Sequence, residues 1–468
     1  MIFNSLDFLV FFIIIFLFFY FSFGITRGLI LFISSCIFYM WFIPSYVIIL
    51  FITIFIDYYA AIHIEESESK IGKKKHLIIG IVNTCIVLFF FKYYNFFVDN
   101  LNYLGFTSIK HWDIILPIGL SFHVFQSLSY VIEVYRGNIR AERNLLIYSN
   151  FVMMFPQLVA GPIERADNML PQLRDNQNKV SYTDFSIGFG RFFWGLFKKV
   201  AVADVVSQYV DAVYNNYLHH SGSTLLLATF LFAIQIYCDF SGYSDMAIGV
   251  ARMLGFKFKE NFSIPYFSKS VTEFWRRWHI SLSSWLKDYI YISFGGNRKG
   301  TLITYRNLLL TMLIGGLWHG ASWNFVIWGG LNGIYLSFEK LLNISMDNPK
   351  NIIVKLLRIG YVFVAISFTW IFFRASTLSQ AKYIAYKIIT DLSPAKFNSL
   401  STSILLSITI SLLLLLLFEF FLFRKHSFDK IYLMKHGKKY LNILTIFFII
   451  YVLLNGNFNG AQFIYFQF

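Results

Sequence analysis

Charge is scarce in this chain. Only 14% of its 468 residues are Asp, Glu, Lys or Arg, about half the share carried by a soluble domain. Cysteine is scarcer still. Cys36, Cys85 and Cys238 form no C-x-x-C pair, so neither a disulfide framework nor a metal site is expected and all three read as packing residues. No H-E-x-x-H, G-x-S-x-G or Walker sequence occurs, and the metalloprotease, nucleophile-elbow and phosphate-loop chemistries lose their usual signatures. No repeat, coiled coil or low-complexity tail is visible.

What fills the chain is hydrocarbon. It is 57% hydrophobic with 56 Phe and 29 Tyr, and its mean hydropathy is +0.59. That composition predicts an all-α, multi-pass membrane protein with lipid-facing aromatic surfaces. The formal net charge of +15 is scattered through short loops. Anionic lipid headgroups and the positive-inside bias account for it better than nucleic acid does. Met1 to Asp7 holds no basic residue and the apolar run Phe8 to Phe23 ends without an A-x-A-like site, so that run is expected to stay as a span.

Further spans are expected near Gly28–Phe42, Tyr46–Ile62, Leu77–Phe97, Ile352–Phe373, Ile404–Phe423 and Leu441–Leu454, each close to the length that crosses about 30 Å of hydrocarbon. The stretch Glu65 to Lys75 carries Lys70, Lys73, Lys74 and Lys75, and Arg424 to Lys439 is also basic. Both are expected on the cytoplasmic side, with Arg27 inside and the N-terminus outside.

The middle reads differently. From Ile114 to about Phe325, Pro117, Pro156, Pro162, Pro265 and many glycines break the apolar runs, and Ser121, His123, Gln126, Gln157, Glu164, Gln235, Asp239 and Asp245 sit inside them. Broken backbone at membrane depth persists where it is buried in protein or lines a watery cavity. A single domain over 1–468 is expected, with N-terminal spans to 110, a core over 111–345 and C-terminal spans from 346.

One stretch organises that core: Gly315-Gly316-Leu317-Trp318-His319-Gly320-Ala321-Ser322-Trp323. It puts an imidazole where hydrocarbon is expected, and an ionisable group at membrane depth is read as functional by default. The flanking glycines remove bulk, so another molecule could approach the ring. The competing explanation is a histidine packed between helices and bonded to a carbonyl.

Three further stretches carry signal. Thr272 to Tyr289 reads as one amphipathic helix, with Phe274, Trp275, Trp278, Leu282, Trp285, Leu286 and Tyr289 on one face. Arg276, Arg277, Ser283, Ser284, Lys287 and Asp288 share the other, and His279 lies at the margin. A plain interfacial helix explains the arginines but does not call for the histidine. Tyr237 to Met246 sets Asp239 and Asp245 in an apolar segment. Each should meet a partner from another helix, and a structural network is favoured over a catalytic dyad. Phe155 to Arg165 brackets Gly161 with Pro156 and Pro162 and reads as a bend or re-entrant turn.

Taken together, Leu116 to Phe122, Gln157 to Ile163, Asp239 to Asp245, Arg277 to Ser283 and Leu317 to Gly320 resemble the membrane-bound O-acyltransferase (MBOAT) superfamily, in the family's order and over nearly the whole chain. Gly295-Gly296-Asn297-Arg298-Lys299-Gly300 follows its glycan-acetylating branch more closely than its D-alanylating one. The resemblance implies about 10–12 membrane helices ringed around a central funnel, with re-entrant and amphipathic helices. It implies that His319 is the essential histidine and His279 its second motif position. It also implies transfer of an acyl group from a cytoplasmic thioester, such as acetyl-CoA, to a hydroxyl on the outer side. An extracytoplasmic SGNH-type esterase-like partner often completes transfer to polysaccharide in this branch. No bound cofactor is expected, and the cytoplasmic (inner) membrane of a bacterium is the expected location.

The chemistry asks for such residues. A histidine titrating near working pH suits the general base that deprotonates the attacking hydroxyl. Donors for the oxyanion could be Trp318, Trp323, Ser322, Asn324 or a backbone N–H beside Gly320. Arg276, Arg277 and Lys287 could hold donor phosphates, and Asp239 is kept as a further binding candidate. The alternatives are D-alanyl or other acyl transfer, a transporter without chemistry and a non-catalytic scaffold. A transporter predicts broken helices in paired positions of two halves, and no such symmetry is seen. A scaffold gives no reason for two histidines in polar surroundings.

Overall fold

The structure is a computed structural model that describes residues 1–105, 109–117, 119–158, 161–175, 180–344, 349, 351–395, 401–423, 427–458 and 463–464. Among the described residues every regular element is helical. Ile118, Val159 and Ala160 of the family-like stretches, and Arg424 and Lys425 of the basic link, lie outside them.

Among the described residues six helices are long and apolar enough to cross a membrane: Pro44–Glu66, Lys70–Tyr103, Gly222–Met253, Ile352–Arg374, Thr402–Phe420 and Gly437–Asn455. Two shorter apolar helices, Leu6–Phe21 and Ile25–Met40, precede them. Their outward faces carry exposed Leu9, Ile13, Ile52, Val82, Leu357 and Ile446, an apolar surface that water would not tolerate and a bilayer solvates. The protein is therefore an all-α, multi-pass membrane protein.

The basic stretch after the third span is not a loop. Val47–Glu66 and Lys70–Leu88 are joined by 67–69 alone. Ser69 accepts a hydrogen bond from the Gly72 amide at 3.0 Å and starts the fourth helix among its lysines, as an N-cap does for otherwise orphaned donors.

The chain divides into two compact units, Met1–Phe189 with Ala247–Lys259, and Gly190–Met246 with Glu260–Phe468. In the first, several polar residues of the broken middle are structural. His123 Nε2 lies 2.5 Å from Thr53 Oγ1, and Gln126 Nε2 donates to the Phe151 carbonyl at 2.5 Å. Glu164 is fully buried and accepts from the Lys259 amide and Asn168 Nδ2, both at 2.7 Å. Arg27, expected among the loop cations, is also buried; its Nε donates to the Ser22 carbonyl at 2.9 Å.

In the second unit a π-helical turn, Phe197–Ala203, directs two successive lysines onto the long Gly222–Met253 helix. Lys198 Nζ reaches Asp245 at 2.5 Å and Ser241 at 2.8 Å. Lys199 Nζ reaches Asp239 at 2.7 Å and Asp204 at 2.8 Å. Each carboxylate in the apolar segment thus has a cationic partner from another helix. Lys199, Asp204 and Asp239 are all buried, so removing the lysine alone strands two carboxylates. Lys199→Met is expected to cost about 3–5 kcal/mol, read as lowered thermal stability of the detergent-solubilised protein. A loss below about 1 kcal/mol would show that the three groups are not an ionised network.

Candidate active site

The second unit also holds both histidines. His319 ends the Thr301–His319 helix, and Trp323–Leu341 returns against it. The turn between them is tight because the helices nearly touch through glycine. A Cβ built on Gly316 would lie 2.2 Å from the Phe325 carbonyl oxygen, and one on Gly320 would lie 2.1 Å from the Phe325 ring. The room beside these glycines is therefore taken by the protein's own returning helix. This corrects the expectation that it admits another molecule: small residues at a helix–helix contact let backbones close up.

His279 reaches the same place from a segment that sequence periodicity misjudges. Thr272 to Tyr289 is not one helix. Val271–Trp275 stops, Ile280–Leu286 begins anew, and a π-helical turn runs over Lys287–Tyr291. His279 sits at the break with φ +43°, a left-handed conformation that costs a non-glycine residue energy and persists only where the surroundings impose it. They do so on both sides. Ser270 accepts from the Glu273 amide at 3.0 Å, and Glu339 from the returning helix accepts from the Val271 and Thr272 amides at 2.5 and 2.9 Å. Across the break, Ser263 N–H donates to the Arg277 carbonyl at 2.9 Å and Ile280 N–H to the Asn261 carbonyl at 2.8 Å. A wheel of 3.6 residues per turn cannot foresee a partner 18 residues upstream.

The two imidazole centroids come within 6.5 Å of each other. His279 is 0% exposed and His319 4%. Aromatic rings wall the pair: Trp318 at 5.0 Å and Trp328 at 5.0 Å from His319, with Phe373 at 5.6 Å. Phe240 lies edge-on to His279 at 4.6 Å. Asn261, also fully buried, places its Oδ1 3.1 Å from His279 Nδ1. Each imidazole has a nitrogen that can take up and return a proton.

The other sequence candidates separate. Trp318 lines the pair. Arg277 is engaged by Glu273 at 2.6 Å, whereas Arg276 and Lys287 are exposed. Trp323 is 54% exposed. Asn324 Nδ2 donates to the Ala375 carbonyl at 2.8 Å, fastening the returning helix to the end of Ile352–Arg374. Asp239 accepts from Lys199 and from the Ile464 amide at 2.7 Å, a structural engagement. Asn261, Trp328, Phe373 and Glu339 went unforeseen, because each reaches the site from another helix or turn and none stands in a spaced motif.

Comparison with known proteins shows the family of the chain. Residues 139–378 match the family model described as MBOAT, membrane-bound O-acyltransferase family. A protein of Azotobacter vinelandii named probable alginate O-acetylase AlgI is 42% identical over 420 residues, covering 87% of this chain and 83% of its own. The peptidoglycan O-acetyltransferase of Helicobacter pylori is 36% identical, covering 74% of this chain and 71% of its own. The teichoic acid D-alanyltransferase of Bacillus subtilis is 26% identical, covering 48% and 60%. Fold and matched span together define a polytopic membrane enzyme that transfers acyl groups to hydroxyls. The chain belongs to the membrane-bound O-acyltransferase family.

Proposed function

We propose that this O-acyltransferase moves acetyl groups onto a cell-envelope polysaccharide such as alginate, another exopolysaccharide or peptidoglycan, working in the cytoplasmic membrane of a bacterium. The observation that carries this is the buried His279–His319 pair at 6.5 Å, in a chain 42% identical to a protein named for alginate O-acetylation. In this reading the donor is a cytoplasmic thioester such as acetyl-CoA, used as a substrate. One histidine takes the proton of the attacking hydroxyl, the oxygen bonds to the thioester carbonyl carbon, the C–S bond breaks, and the departing thiolate takes up that proton to leave as the thiol. The Trp318 indole beside His319 supplies a donor for the developing oxyanion. The exposed cations Arg276 and Lys287 are suited to the donor's phosphates. An extracytoplasmic SGNH-type transferase is the expected partner that carries the group to the glycan.

Esters released by mild base from the envelope of cells with and without the gene decide the acyl group. Mass spectrometry is expected to find acetate that disappears with the gene. Loss of alanine instead would support the second reading, D-alanyl transfer, which rests on the 26% identical Bacillus subtilis relative. No change in either ester would overturn both.

A further inference from the structure

Asn261 does more than hold the broken helix in place. Its side chain is 0% exposed and meets four polar groups at once. Oδ1 lies 2.9 Å from Ser281 Oγ, 3.3 Å from the Ser281 amide nitrogen and 3.1 Å from His279 Nδ1. Nδ2 donates to Ser244 Oγ at 3.0 Å. The amide nitrogen of Ser281 can only donate, so the atom facing it must be the carboxamide oxygen. Turning the carboxamide over would set NH₂ against N–H and strand two buried donors, each costing about 1–3 kcal/mol. A carboxamide oxygen can only accept. The Ser281 hydroxyl also lies 3.5 Å from His279 Nδ1 but donates to Oδ1 at the shorter 2.9 Å. This geometry assigns the hydrogen between carboxamide and ring to His279 Nδ1 and the lone pair of the neutral imidazole to Nε2, because the bond made by one ring nitrogen fixes the state of the other.

We propose that Asn261 is a positioning residue that fixes the tautomer of His279, leaving Nε2 as the basic nitrogen for acyl transfer. This rests on the reading of His279 as part of the transfer site. The backbone contributes as much as the side chain, since the Asn261 carbonyl accepts from Ile280 N–H at 2.8 Å and so pins both flanks of His279. Ring packing restricts the imidazole plane: Phe240 stands edge-on at 4.6 Å and Phe262 is stacked at 6.3 Å. Among the described residues, the titratable His319 faces His279 with its ring centre 6.5 Å away. The carboxylates on the helix that carries Phe240 are neutralised elsewhere, Asp239 by Lys199 and Asp245 by Lys198. A neutral amide at this position orients the ring without adding charge. A carboxylate there would orient it equally and stabilise the imidazolium.

Two substitutions separate orientation from packing. The full-length protein in lipid, labelled with ¹⁵N-histidine, reports the tautomer directly, and His279→Gln assigns the signal. Wild type is expected to show His279 with its hydrogen on Nδ1. Asn261→Asp should keep that tautomer while moving the acid limb of the acetyl-CoA-dependent pH–rate profile up by about one unit or more, since an opposite charge favours the charged ring. Asn261→Leu should lose the single tautomer and at least about tenfold in rate, as the wrong tautomer costs a Ser-His-Asp triad far more. A wild-type hydrogen on Nε2, or an Asn261→Asp profile superimposable on wild type, overturns the proposal. Both results are obtained even if Asn261→Leu fails to fold. Full activity in His279→Gln would instead remove the catalytic reading of His279, and with it the role given to Asn261, while leaving the measured tautomer standing.

Discussion

Replacing His319 by alanine is expected to lower envelope O-acetylation by roughly 10²–10⁴-fold, the usual contribution of a positioned general base, with normal protein in the membrane. The ring is 4% exposed and its nearest walls are Trp318, Trp328 and Phe373, so truncation also leaves a cavity. A packing role and a chemical role therefore need to be told apart. His319→Gln fills much the same space and keeps polar atoms, but it cannot accept and return a proton near neutral pH. The chemical role predicts that glutamine is as inactive as alanine. Base-released acetate, normalised to membrane protein by immunoblot, makes the comparison. Near-normal acetate from the glutamine variant would reduce His319 to a packing residue.

The second large effect concerns two adjacent glycines of opposite consequence. A Cβ on Gly329 would meet the Met312 carbonyl oxygen at 2.3 Å and the Met312 carbonyl carbon at 3.0 Å, whereas one on Gly330 finds only Leu313 Cδ2 at 3.6 Å. Gly329 faces backbone, which cannot swing aside. Gly329→Ala must therefore push the returning helix away from the helix that ends in His319. Overpacking of this kind costs about 1–3 kcal/mol or more, and a shift of the two helices displaces the ring. Gly330→Ala gains about 0.5–1 kcal/mol, because alanine is the better helix former where there is space. Thermal stability in detergent should fall for the first variant and hold or rise for the second, with acetylation following stability. Equal behaviour of the two would mean that the hairpin does not close at Gly329.

Much of this was legible without coordinates. Charge scarcity and apolar runs near span length gave the membrane class, and the start of Leu6–Phe21 and the bounds of Ile352–Arg374 fall within two residues of the expected spans. Lipid solvation acts on local composition, so composition is enough. The carboxylates at 239 and 245 were read correctly as needing partners for the same reason: the cost of a lone charge in hydrocarbon is a property of the residue itself. Which lysines answered them was not readable, because the π-helical turn at Phe197–Ala203 changes the register on which a helical wheel relies.

The site shows the same division more sharply. His279 and His319 were singled out because an imidazole in an apolar setting stands out against its neighbours. Their approach to 6.5 Å, the break that puts His279 at φ +43° and the hold of Asn261 and Glu339 on that break all come from distant segments. The sequence determined by itself that this is a multi-pass membrane chain with two unusual histidines, since hydropathy and residue chemistry are written locally, while its acyltransferase character came from the resemblance of its motifs to a known family. Tertiary structure alone decided how those rings are held and which helices close around them, because hydrogen bonds and close backbone packing join residues that no local pattern relates.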